Sequence, residues 1–367
     1  MLGIDRRSIQ NFDWVLFGIA ATLLTFGIVN LMSASHPGGE ELLSDTVRRQ
    51  LTALGIGGIV IAIVVAIDYR HVERFAPLIY GGVMALLVAT LVLAPELRGA
   101  RAWLFGGRFQ PSELAKIAMV IGIARWFHRN PPSEVTRLSQ LWPPALIAAI
   151  PVGLILLQKD MGVAVLTLLV ALTYVPLVRV RLTSWAGVAA LGVVGLVALW
   201  NFGLKDYQQQ RILDFVDPSR DPLSSGYQAM QSRIAIGSGG IFGKGWMEGT
   251  QTQLRFLPTQ HTDFAYSVLA EEWGFVGSVV ALGTYLAMLL WGLWIARNSR
   301  DGFGAMLAVG LVGALFWPAV INVAMVLGLA PVIGVPLPLF SYGGSALVTT
   351  CLSLGLLMSI SMRRYVF

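Results

Sequence analysis

The sequence predicts an all-α polytopic membrane protein: ten transmembrane helices, with a large structured extracytoplasmic loop between the seventh and eighth. Three observations carry this. Apolar residues make up 56% of the chain and charged residues only 13%, about half the ~25% of soluble domains. The apolar residues gather into windows of about 17–25 residues, the length that spans a ~30 Å hydrocarbon core. These windows are continuous rather than alternating in ~10-residue segments, which favours helices over a barrel.

The windows fall at 14–33, 51–67, 76–94, 111–127, 141–157, 161–178, 185–204, 264–296, 304–329 and 343–361. No soluble-domain segment interrupts them, so 1–367 reads as one integral membrane domain. The first window reads as an anchor rather than a removed signal: Ser33-Ala34-Ser35 could pass for a cleavage site, but the apolar stretch exceeds a signal h-region and further windows follow. Ten spans put both termini on one side. The segments on that side hold Arg6, Arg7, Arg70, Arg74, Arg125, Arg129, Arg137, Arg179, Arg181, Arg297, Arg300, Arg363 and Arg364, against Arg48, Arg49, Arg98, Arg101, Arg108 and Lys159 in the short loops opposite. The positive-inside rule therefore places both termini in the cytoplasm. The net charge of +6 suits anionic lipid, and with no basic run or aromatic–basic platform it gives no sign of nucleic acid. Cys351, the single cysteine, lies mid-span and reads as a small buried side chain, while the four histidines show no metal-ligand spacing.

The cytoplasmic connections are short, but three outer segments are not. Leu97–Gln110 carries three arginines and Trp103. The largest, 205–263, holds too many apolar residues for disorder, among them Phe215, Tyr227, Phe242, Trp246 and Phe256. Within it, 224–236 has helical spacing, with Tyr227, Met230 and Ile234 on one face and Ser224 or Ser225 as cap; this predicts a short helix in the outer interface, ended by the glycines of 237–240. The third, Pro331–Ser345, has three prolines and cannot be regular helix. Irregular backbone at membrane depth is tolerated only where it is buried in protein or lines a cavity.

Asp263 is the leading functional residue. It closes the long loop and opens the eighth window, in His261-Thr262-Asp263-Phe264. An ionised Asp well inside a bilayer costs about 2.5–3.5 kcal/mol on insertion scales. Thr262 or Asp263 could cap the helix, and a cap is compatible with a second reading, a general base facing an outer cavity with His261 orienting it or meeting substrate. Glu113 and Lys116, three apart beside Pro111, share a helix face as a neutralising pair or as a substrate contact. Gln158-Lys159-Asp160 forms an outer two-helix turn. Glu271 and Glu272 lie inside the eighth window, where one of them must face protein or water.

These residues make sense together. Carboxylates (Asp263, Asp160, Glu113) and cations (Lys116, Arg101, Arg108, Arg211, Arg233, Lys244) converge on the outer face. Transfer of a sugar from a lipid diphosphate needs both: cations stabilise charge on the departing diphosphate, and one carboxylate takes the proton of the attacking hydroxyl. The same carboxylates could instead hold a divalent cation; no cofactor is otherwise indicated.

Arg108-Phe-Gln-Pro-Ser-Glu113-Leu-Ala-Lys116, Gln158-Lys-Asp160-Met-Gly162, Gln231–Gly245, Gly249–Glu272 and Gly334–Ala346 resemble, in order and placement, the SEDS family of bacterial wall polymerases, and within it the RodA branch. The resemblance implies a ten-helix peptidoglycan glycosyltransferase of the bacterial cytoplasmic (inner) membrane. It would polymerise lipid II into β-1,4 glycan at the outer face, for lateral wall growth and rod shape, beside a class B penicillin-binding protein. It implies an essential role for Asp263 and supporting roles for Asp160, Glu113 and Lys116. The chain departs from the family where Lys159 stands for a frequent proline, Ala102 for an arginine (with Arg101 one place earlier) and Arg255 for a frequent acid. Two other readings are a lipid II flippase, which needs a polar path that the outer clustering of ionisable residues does not supply, and a scaffold for the penicillin-binding protein, which leaves that cluster unused.

Overall fold

The computed structural model describes residues 11–36, 43–97, 99–198, 200, 201, 209, 213, 225–257 and 259–364. Among these the only regular secondary structure is helix; two isolated bridges, Leu97–Ala100 and Leu104–Phe109, fold the first outer segment back on itself. The helices are α1 (Trp14–Ala34), α2 (Asp45–Ala66), α3 (Tyr69–Leu93), α4 (Pro111–Arg129), α5 (Trp142–Leu157), α6 (Met161–Leu172), α7 (Leu182–Ala198), α8 (Ser225–Ser238), α9 (Thr250–Gln253), α10 (Ala265–Arg297), α11 (Gly302–Val326) and α12 (Gly344–Met362).

Among the described residues, seven helical segments are long and apolar enough to cross a membrane: Trp14–Ala34, Asp45–Ala66, Tyr69–Leu93, Leu138–Leu157, Ala265–Arg297, Gly302–Val326 and Gly344–Met362. Two further windows appear as shorter apolar helices, Met161–Leu177 and Thr183–Gly195. The remaining one is α4, which carries Glu113, Lys116, Arg125 and Arg129 and is enclosed by its neighbours instead of facing lipid along its length. Two helices begin earlier than the hydropathy windows. Ser44 caps α2 through Val47 N–H, and Asp68 caps α3 through Arg70 N–H, each adding a polar first turn. Hydropathy locates the hydrocarbon, whereas caps locate helix ends.

The bundle closes around α12. Its apolar window is 83% buried, against 17% for α2, which packs along it. α4 lies between α3 and α11, α10 contacts α1 and α11, and α5 pairs with α6. At one end, Asp13 caps α1 and also accepts from Trp291 Nε1 (3.0 Å) on α10 and Ser361 Oγ (2.6 Å) on α12, pinning three helix ends to one carboxylate. Cys351 is buried within α12, as expected of a small apolar side chain.

The helix of the long loop forms, as α8, and turns Met230 (46% exposed) and Ile234 (43% exposed) away from the bundle. Its buried residues are the small ones, Gly226, Ser232 and Ala235; Ser232 Oγ donates to Val326 O (2.6 Å) and shares a hydrogen bond with Ser267 Oγ (2.9 Å). Small residues let α8 approach α10 and α11 closely, which leaves the large apolar side chains outward.

One expectation is corrected: the eighth window is not one continuous helix. Gly274 has φ 65° and ψ −159°, which breaks α10. The segment 239–245 enters the break and restores its hydrogen bonds: Phe275 N–H donates to Gly240 O (2.9 Å), Val276 N–H to Ile241 O (3.1 Å), Lys244 N–H to Glu271 O (3.1 Å) and Gly245 N–H to Glu272 O (3.0 Å). The glycines at the end of α8 therefore serve close packing as well as the turn: a methyl group on Gly239 would meet the Ala270 carbonyl oxygen.

Candidate active site

The segment 331–349 is the spine of the site. As its prolines require, it is irregular from Pro331 to Gly343 before α12 begins. A methyl group on Gly162, at the start of α6, would lie 2.9 Å from Ile333 O. One on Gly334 would lie 3.5 Å from Asp263 Oδ2; Gly334 has φ +73°, so its backbone is open to glycine and passes directly beneath that carboxylate. Asn322 of α11, fully buried, donates from Nδ2 to both Asp263 O (2.8 Å) and Val335 O (2.6 Å), tying the two segments together. Further along, Tyr342 N–H donates to His261 O (2.9 Å). Ser345 Oγ accepts from Gln110 N–H (3.1 Å) and donates to Arg108 O (3.0 Å), and Thr349 Oγ1 donates to Glu113 Oε2 (3.4 Å). One stretch of chain thus touches the segments bearing Asp160, Asp263, His261 and Glu113.

Asp263 does not cap α10. The cap position is Phe264, with no side-chain capping bond. Asp263 is half-buried, in a turn whose N–H returns to Thr259 O (3.2 Å). His261 is half-buried beside Tyr342, with ring centroids 6.0 Å apart.

Glu113 and Lys116 meet at 2.9 Å, with side chains only 13% and 7% exposed. Asp160 caps α6 through Val163 N–H (3.2 Å) and accepts from Gln110 Nε2 (2.9 Å). Burial pushes its carboxyl above the ordinary carboxylate range. The Val163 and Gln110 bonds pull it down in part, nearby Glu113 adds to the rise, and Lys116 opposes it. The folded protein thus holds this proton more tightly than the unfolded chain does, so the group favours folding at low pH and loses that contribution as pH rises through the raised value. Asp160→Asn keeps the cap, since Asn caps as well as Asp. Its thermal stability in detergent is expected to equal or exceed wild type at pH 8 and to fall less between pH 5 and pH 8.

The other cations are placed less centrally. Arg101 is half-exposed and pairs with Glu96 (3.9 Å), which also holds Lys159 (3.2 Å). Arg233 is exposed, its side chain lying across Gly328. Lys244, grouped above with the cations that meet substrate, is engaged elsewhere: its ammonium bonds Glu271 (2.8 Å) and Thr250 Oγ1 (2.8 Å), because the loop entering the α10 break delivers it to a buried carboxylate. Arg211 lies outside the described residues. Among the described residues no group of three or more His, Cys, Asp or Glu is placed to hold a metal ion. Lys159 takes φ +64°, which proline cannot adopt.

Gln110, Asn322, Ser345 and Thr349 belong to the site and were not marked by the sequence. A signal existed for two of them: Asn322 and Thr349 are polar residues inside apolar windows, where such residues mark function or packing.

Fold and site define a polytopic membrane protein whose buried acids and lysine gather at one end of the bundle beside a broken loop. The model of the cell cycle protein family that comprises FtsW, RodA and SpoVE matches residues 13–366, and the chain belongs to this family. It is 40% identical over 361 residues to peptidoglycan glycosyltransferase MrdB of Escherichia coli K12, covering 96% of this chain and 94% of that one. It is 31% identical over 431 residues to peptidoglycan glycosyltransferase RodA of Treponema pallidum, covering 98% and 99%. Among solved structures, a peptidoglycan synthase complex that coordinates polymerization and crosslinking matches with a TM-score of 0.82 at 34% identity, covering 97% of this chain and 99% of that one. Thermus thermophilus RodA matches with a TM-score of 0.71 at 32% identity, covering 96% and 98%.

Proposed function

We propose that this protein polymerises lipid II into β-1,4-linked glycan at the outer face of the cytoplasmic membrane, with Asp263 as general base. It is a peptidoglycan glycosyltransferase. The observation that carries the residue assignment is the position of Asp263: its carboxylate lies beside the backbone of Gly334, in the same irregular segment that leads on to the contacts with Gln110 and Glu113.

In this reading the acceptor hydroxyl gives its proton to Asp263 and attacks the anomeric carbon of the donor sugar. The bond to the undecaprenyl diphosphate breaks on the opposite face, with inversion. Lys116, held by Glu113, supplies positive charge to the departing diphosphate, and Arg101, Arg108 and Arg233 add to the field at the rim. In this reading Asp160 and His261 orient the sugars, all ten apolar windows cross the membrane, both termini lie in the cytoplasm and the site faces outside. The likeness to a complex that couples polymerization with crosslinking supports a class B penicillin-binding protein as partner.

The test is polymerisation of labelled lipid II by the purified protein together with its partner. Asp263→Ala is expected to lower kcat by at least ~10²-fold while the protein stays monodisperse. Normal polymerisation by that variant would remove Asp263 from the mechanism.

A further inference from the structure

Glu271 is fully buried in α10 and takes no part in the chemistry above, yet it gathers more donors than a structural acid needs. It accepts from Lys244 Nζ (2.8 Å), Gln251 N–H (2.8 Å), Thr252 N–H (3.1 Å), Thr252 Oγ1 (2.8 Å) and, at 3.5 Å, Thr250 Oγ1. All five donors lie in the loop that leads to Asp263. The chain of contacts continues from there. Thr252 O accepts from Gln260 Nε2 (3.2 Å), which also donates to Ala34 O (2.8 Å) on α1. Gln260 sits inside the turn in which Thr262 N–H and Asp263 N–H both return to Thr259 O. One flank of Asp263 is fixed by Asn322; the other is tied at His261 O to Tyr342 N–H and, through Gln260 and Thr252, to Glu271.

We propose that Glu271 is a positioning residue for Asp263. Through Thr252 and Gln260 it sets the turn that aims the Asp263 carboxylate, and Lys244 is the counter-charge paired with that buried carboxylate. The proposal rests on Asp263 being the base. Its physical content is orientation: the site still binds substrate when the turn loosens, but the base no longer meets the acceptor hydroxyl in reacting geometry. A displacement of about 1 Å can cost ~10²-fold in rate. The loss then appears in kcat rather than KM.

The experiment measures kcat and KM on labelled lipid II, per mole of monodisperse protein with its partner, for Glu271→Gln, Gln260→Ala, Lys244→Arg and Asp263→Ala. Gln260→Ala cuts the relay without disturbing the buried charge, so it decides the matter if Glu271→Gln does not fold. The expected result is a ~10- to 100-fold fall in kcat for Glu271→Gln and Gln260→Ala, with KM within about twofold, and near-wild-type kcat for Lys244→Arg, which keeps the pair. Unchanged kcat in Gln260→Ala, or a loss confined to KM, overturns the positioning role. If Asp263→Ala is inactive while Gln260→Ala behaves as wild type, positioning alone fails. If Asp263→Ala polymerises normally, the base assignment fails and positioning falls with it.

Discussion

Gly274→Ala is expected to destabilise the protein by at least ~4 kcal/mol, enough to empty the folded state of a marginally stable chain. Three costs act together. The backbone at φ 65°, ψ −159° lies in a region that essentially only glycine enters, and forcing another residue there costs about 1–3 kcal/mol. The added methyl would sit 2.3 Å from Gly243 N and 2.7 Å from Ile241 O, which are backbone atoms that cannot swing aside; overpacking of this kind costs about 1–3 kcal/mol. Expelling the loop then strips partners from Phe275 and Val276 N–H and from the Glu271 and Glu272 carbonyls, each worth about 1–3 kcal/mol when buried unsatisfied. Thermal unfolding in detergent would read this as a fall on the order of 10 °C; a midpoint within about 3 °C of wild type would show that the loop does not occupy the break.

Lys116→Met is the second large effect. It leaves the Glu113 carboxylate buried without its counter-ion, and breaking a buried pair from one side costs about 3–5 kcal/mol. The double variant Lys116→Met/Glu113→Gln removes both charges and is expected to regain most of that stability, since an apolar or neutral replacement of a buried pair is often near neutral. Activity separates the two readings of the pair. If Lys116 meets the departing diphosphate, the double variant folds but does not polymerise lipid II. A folded and fully active double variant would reduce the pair to a structural one.

Much of the architecture was readable before any coordinates. The proline-rich stretch after α11 could only be irregular, and it is. Pro111 starts α4, as its missing N–H allows. Asp263 stood out because a carboxylate at a membrane boundary is costly. Other features were visible but could not be resolved. Thr262 and Asp263 are both good caps, and nothing local says that the helix begins only after Phe264. Tyr227, Met230 and Ile234 do share a helix face, but which face a surface helix buries depends on what it packs against, and α8 packs through Ser232 and Ala235. Glu271 and Glu272 announced a problem at mid-window without naming the solution, a glycine break filled by a loop from earlier in the chain.

The sequence by itself determined that this is a helical membrane protein, where its apolar stretches lie, where helix must stop, and which residue types are too expensive to be idle. Those follow from transfer of side chains out of water and from the chemistry of proline, glycine and capping groups, which act over a few residues. Only the tertiary structure decided which costly groups meet. Lys244 finds Glu271 at a separation of 27 residues, Gln110 finds Asp160 at 50 and Thr349 finds Glu113 at 236. Partners so distant are selected by the closure of the whole bundle around α12, because a buried polar group takes whichever complement packing brings within about 3 Å.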